Sequence, residues 1–285
     1  MGGVIALASV LTFTACTIGE GERFLYNGKD RSYELYTPPS LDKRSGKNKP
    51  LLLVLHGNPS NGWETRMYSG MNKAARKGDF IVVYPDARTG KWPFTDQSAI
   101  DEEVGYISAL LDHICELYPV DTSRIYTSGI SGGGIFSFLL ADRLPNKFAA
   151  IAVVAGNLPK SIELPHEMQP VPLVLFHGTD DFLYEGREDL FSVDSTLAIF
   201  TAINSCNVSP AITHLEDKKN DNTTVELVEY ECGTPVKFYR INNGGHHWPG
   251  GNFNADRFTK LELGEFCRDI DASELIWEFL SERSK

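Results

Sequence analysis

The most restrictive feature of this 285-residue chain is a repeated alternation of short apolar runs with longer helical stretches. Leu51–Leu55 is apolar throughout, as in a strand covered on both faces. Phe80–Tyr84, Ile151–Val154 and Val171–Phe176 read the same way, and Ile125–Thr127 reads as a short strand. Met67–Lys77, Asp101–Leu117, Gly133–Leu144 and Ser192–Asn204 read as helices. Asp101–Leu117 is the clearest, with Val104, Ile107, Leu111 and Ile114 at helical spacing and acids in its first turn. Parallel strands need crossovers of this kind, so the alternation predicts an α/β fold with a mostly parallel central sheet flanked by helices on both faces. Val225–Tyr230 and Val236–Ile241 read as a strand pair turning at Cys232-Gly233, and Asp271 can cap a last helix, Ala272–Ser281. No repeat or linker breaks the series, so residues 24–285 are expected to form one domain.

One turn in this frame carries chemistry. Gly129-Ile130-Ser131-Gly132-Gly133 fits Gly-x-Ser-x-Gly, directly after a strand and directly before a helix. A serine there is held in a strained backbone conformation, and glycines on either side remove side chains that would clash. Ser131 is the expected nucleophile, with the backbone N–H of Gly132 aimed at a developing oxyanion. The second donor should come from the loop after an earlier strand, which points to Asn58 in Leu55-His56-Gly57-Asn58; His56 itself is expected to bond loop backbone. The acid should follow a later strand, and Val171–Phe176 leads into His177-Gly178-Thr179-Asp180-Asp181. Asp181 is preferred to Asp180 because the spacing puts it in the turn past the strand end. The base should lie on a late loop, and Asn243-Gly244-Gly245-His246-His247-Trp248-Pro249-Gly250 supplies it. The glycines before it favour His246 over His247. Adjacent histidines rarely share one metal, so neither a metal nor any other cofactor is expected. His113, His166 and His214 read as packing or surface residues.

The formal charge of −11 sets this chain against phosphate backbones and other polyanions, so nucleic acid is excluded as an expected partner. Val4–Phe13 has the length of an export-signal core and is too short to span a bilayer. Leu11-Thr12-Phe13-Thr14-Ala15-Cys16 resembles a bacterial lipoprotein box, in which Cys16 would be lipidated. It departs from that pattern at Phe13, where Leu is usual, and no Lys or Arg precedes Arg23. Residues 1–16 are therefore expected to be an export signal, with membrane contact only through a lipid on Cys16. The four later cysteines, Cys115, Cys206, Cys232 and Cys267, allow three pairings. Cys206 follows a helical stretch and Cys232 ends a strand just before a turn, which favours Cys206–Cys232 and leaves Cys115–Cys267 or two free thiols.

Together these motifs resemble a group of secreted α/β-hydrolase esterases that includes feruloyl esterases, acetyl xylan esterases and polyhydroxybutyrate depolymerases. The similarity runs from about Phe24 to the C-terminus. Its markers are Leu55-His56-Gly57, Val83-Tyr84-Pro85, Asp101–Ile107, Gly129–Gly133, His177–Asp181, Asn204-Ser205-Cys206 and Gly245-His246-x-Trp248-Pro249-Gly250. The last is the most specific to the group. The resemblance implies a Ser131–His246–Asp181 triad, a disulfide between Cys206 and Cys232, and an ester as substrate. Relatives often have Cys where this chain has Asn58, but the donor there is backbone. Trp248 and Trp92, with Phe94 near the latter, are expected to line an apolar cleft for an aromatic acyl group or a sugar. With no appended binding module, soluble esters and hemicellulose decorations rank ahead of polyester. A peptidase and a catalytically silent binding protein are the readings from other classes.

Overall fold

Strand β3 (Lys49–Leu55) shows how the sequence builds the centre of the molecule. Leu51, Leu53 and Leu55 enter one core and Leu52 and Val54 the other, because successive strand residues point to opposite faces. The computed structural model describes residues 21–43, 47–162, 168–206, 209–252 and 263–285. The segment 1–16 with Cys16, and His166, lie outside the described residues.

The other strands are β1 (Glu22–Tyr26), β2 (Lys29–Tyr36), β4 (Ile81–Pro85), β5 (Val120–Ile130), β6 (Ala150–Val154), β7 (Leu173–Gly178), β8 (Ala211–His214), β9 (Thr224–Tyr230) and β10 (Val236–Asn242). All ten form one sheet in the order β1-β2-β4-β3-β5-β6-β7-β10-β9-β8. The six strands from β4 to β10 in that order run parallel. Antiparallel partners extend both sides, β2 and β1 on one and β9 and β8 on the other. The hairpin β1–β2 turns at Asn27-Gly28, both with positive φ, as a tight hairpin requires.

The helices are α1 (Gly62–Ser69), α2 (Met71–Gly78), α3 (Gln97–Leu117), α4 (Gly132–Arg143), α5 (Val193–Ile203) and α6 (Ala272–Ser281). Apolar side chains of α3, α4 and α5 fill one core, and those of α2 and α6 fill the other. Asp271 caps α6 as expected, its side chain accepting from the Glu274 N–H. Met67–Lys77 is two helices rather than one, broken at Gly70, whose φ of 72° is left-handed. Strand β5 is longer than expected, because its polar first half still pairs at Val120.

Cys206 and Cys232 form a disulfide between the end of α5 and the β9–β10 turn. Cys115 and Cys267 are free thiols, so the pairing considered for them does not occur. The reason is topological: Cys115 packs against the core beneath α3 and Cys267 lies in the core on the other face of the sheet. A buried ion pair ties the outer strands to the centre. Arg31 on β2 donates to Glu103 on α3 at 2.7 Å and to the carbonyl of Asp86 just past β4, with its guanidinium over the Tyr106 ring.

Candidate active site

Parallel strands present their C-terminal ends along one edge, where ligands of open α/β sheets bind. Ser131 follows β5, Asp181 follows β7 and Gly245-His246 follows β10, all on that edge.

Ser131 adopts φ 54° and ψ −123°, a conformation that costs a non-glycine residue about 1–3 kcal/mol. It is held by its own N–H bonding the Val154 carbonyl and by its carbonyl accepting from Ile135 in the first turn of α4. The elbow lies tight against the neighbouring strand: a Cβ on Gly133 would collide with the Leu55 and His56 carbonyls. Gly132 opens α4, so its N–H has no acceptor within the helix. The Asn58 side chain lies against Gly132 and is committed to Trp92, donating to its carbonyl at 2.9 Å and accepting from its N–H at 2.8 Å. His56 is structural: Nδ1 meets the Gly57 carbonyl at 2.7 Å, and Nε2 accepts from the Ala87 N–H.

Asp181 is 4% exposed and meets His246: Oδ2 lies 2.7 Å from Nδ1. Its Oδ1 accepts from the Leu183 N–H at 2.8 Å. Asp180 takes no part in this contact; its own N–H bonds the Gly244 carbonyl, steadying the histidine loop. Burial pushes the Asp181 carboxyl up, but the imidazoles of His177 and His246 outweigh it and hold it well below the usual carboxylate range. His246 is presented because the loop is clamped against the segment from Leu263 to Glu265, which accepts from the Gly245 and His246 N–H groups. A Cβ at Gly245 would strike the Leu263 carbonyl, so glycine is required there. His247 turns away, Nε2 3.1 Å from the Gly264 carbonyl, and burial pushes its basicity down.

The two tryptophans expected to line the cleft do not. Trp92 is 1% exposed and stacks on Phe136, supporting the Asn58 loop from beneath. Trp248 is 2% exposed and donates from Nε1 to Ser273, anchoring the histidine loop to α6. Both rings serve packing, because the edge loops must be pinned to the core before they can hold a site. The aromatic surface beside the site is Phe182 instead. It is 62% exposed and its ring centroid lies 4.6 Å from that of His246. Two residues near Asp181 were therefore missed by sequence reasoning, Phe182 and the buried His177. Phe182 had only its place next to the acid as a signal, and His177 only its place at the head of the His177–Asp181 marker. Among the described residues no cluster of His, Cys, Asp or Glu could hold a metal ion.

Fold and relatives define a carboxylic ester hydrolase of the α/β-hydrolase fold. The acetyl xylan esterase from Aspergillus awamori superposes with a TM-score of 0.60, covering 83% of this chain and 96% of that one at 15% identity, a likeness of fold. Residues 31–162 match the family model described as esterase PHB depolymerase. The bifunctional acetylxylan esterase/xylanase of Neocallimastix patriciarum is 32% identical over 221 residues, 77% of this chain but 31% of that longer protein. The protein named probable feruloyl esterase C of Aspergillus flavus is 28% identical over 230 residues, 76% of each chain. The chain is similar to this group of feruloyl, acetylxylan and PHB-depolymerase-like esterases.

Proposed function

We propose that this esterase is an exported serine hydrolase of the feruloyl or acetyl-xylan type, working through Ser131, His246 and Asp181 and a covalent acyl-enzyme. The observation that carries the reading is the 2.7 Å contact of His246 Nδ1 with Asp181 Oδ2, on the same edge as the strained Ser131 elbow. With Nδ1–H given to the carboxylate, Nε2 is left as the base.

His246 takes the hydroxyl proton as Ser131 Oγ attacks the ester carbonyl carbon. Asp181 stabilises the imidazolium and keeps its ring oriented. The carbonyl oxygen becomes an oxyanion held by the N–H groups of Gly132 and Asn58, each worth about 3–4 kcal/mol. His246 then protonates the departing alcohol as the carbon–oxygen bond breaks. Water repeats the sequence on the acyl-enzyme and releases the acid. Phe182 offers the apolar surface that the substrate's acyl or alcohol part meets.

A plant cell-wall ester is the substrate class favoured by the names of the relatives, which include feruloyl and acetylxylan esterases. The family match to PHB depolymerase esterases favours a hydroxyalkanoate oligomer as the second reading. Initial rates on methyl ferulate, an acetylated xylo-oligosaccharide and a 3-hydroxybutyrate oligomer, with Ser131→Ala as the blank, separate the two. Ser131→Ala is expected to lower turnover by about 10³-fold or more; a variant with near-full activity removes Ser131 from the mechanism. Export is supported by the apolar run Val4–Phe13 and by the disulfide, which persists in oxidising compartments. Mass spectrometry of the mature chain should find an acylated N-terminal Cys16, and an intact Met1 would refute export by this signal.

A further inference from the structure

β7 carries Leu173 and Leu175 into the core beneath α3, α4 and α5, and the next residue on that face is His177. An apolar side chain would continue the pattern. An imidazole here is 1% exposed, sealed from bulk solvent. Buried polar groups need partners. Neither ring nitrogen makes a well-aligned hydrogen bond to any described group. Nε2 nevertheless lies 3.1 Å from Asp181 Oδ2, the oxygen that His246 Nδ1 also meets. Two imidazoles therefore converge on one carboxylate oxygen, and a mechanism built on Ser131, His246 and Asp181 uses only one of them.

We propose that His177 is a positioning residue of the hydrolytic site, presenting Nε2–H to Oδ2 of Asp181 and so setting the orientation and charge of the carboxylate that serves His246. The inference rests on the assignment of Asp181 and His246 to that site. A second donor on Oδ2 draws charge away from His246 and makes its imidazolium less favourable. The Leu183 N–H on Oδ1 holds the other end of the carboxylate. The Tyr184 ring flanks His177 edge-on, with centroids 5.8 Å apart, and Arg240 is its register partner on β10. Other titratable groups bear on this cluster: His247 and Glu265 beside His246, Asp180 and Glu185 around the turn after β7, Asp194 on α5, and Glu226 paired with Arg240.

The test compares His177→Leu with His177→Gln, which keeps an N–H donor. His177→Leu should move the acid limb of kcat/KM about 0.5–1 unit to higher pH, and His177→Gln should leave it near wild type. A limb unmoved in both variants, with only a lower Tm, reduces His177 to packing and overturns the proposal. The same comparison read as the His246 titration by NMR in a Ser131→Ala background does not depend on Ser131 being the nucleophile, so failure there is separate from failure of the triad. Should His177→Leu not fold, the 15N spectrum of the wild-type fold decides. A protonated Nε2 on His177 supports the proposal, and a bare Nε2 with the proton on Nδ1 overturns it.

Discussion

At the scale of single residues, the proposed hydrolytic edge is built from groups whose surroundings differ sharply. Asp181 is sealed and ionised, His246 keeps only 10% of its side chain exposed, and Phe182 beside them faces solvent. Leaving so large a ring in water is unfavourable unless a ligand covers it. Phe182→Ala should raise KM for esters with a bulky apolar acyl group by about 10-fold, the equivalent of roughly 1.4 kcal/mol of lost apolar contact, with kcat little changed. KM for a small acetate ester should hardly move. Equal effects on both esters would make Phe182 a structural residue only. Much of this edge was legible beforehand because its signals are local. Gly-x-Ser-x-Gly needs only its neighbours, and the glycines before His246 mark a loop with close backbone contacts. Aromatic roles were not legible: Trp92, Trp248 and Phe182 all sit beside functional loops, and sequence does not say which ring turns inward.

At the scale of elements, the apolar runs were read correctly in type because strands buried on both faces leave an uninterrupted signature. Their ends were not. β5 extends back to Val120 through the polar stretch Asp121–Arg124, where pairing rather than side-chain burial defines the strand. The hairpin β1–β2 was passed over although Asn27-Gly28 advertises its turn, since its strands alternate only weakly between buried and exposed. The break at Gly70 shows the same limit. One glycine between two helical stretches reads as a tolerated interruption until its left-handed φ is seen. Cysteine pairing depends on which face of the sheet each element covers, information that resides in the crossovers. Cys206–Cys232 was accessible because the helix end and the turn it joins lie close in the chain, 26 residues apart; Cys115 and Cys267 had no such constraint.

At the scale of the molecule, the Arg31–Glu103 pair fastens the antiparallel flank to the parallel centre without help from solvent. Burial pushes the Glu103 carboxyl up even against the pull of Arg31. Arg31→Met should lower stability by about 3–5 kcal/mol at pH 8, because the carboxylate is left charged and buried without its cation. With its folded pKa raised still further, Glu103 takes up a proton as pH falls, so the loss should shrink towards pH 5. Thermal denaturation at the two pH values checks this; an equal loss at both would mean that packing over Tyr106 matters rather than charge. The order of the strands has a last consequence. Ser131, Asp181 and His246 hang from β5, β7 and β10, and β7 reaches β5 only through β6. The strand ends that carry them come together only after distant parts of the chain have docked, and such long-range contacts form late. On the proposed triad, a chain caught part-way to the native state, whether newly made or partly unravelled, is therefore harmless to the esters around it.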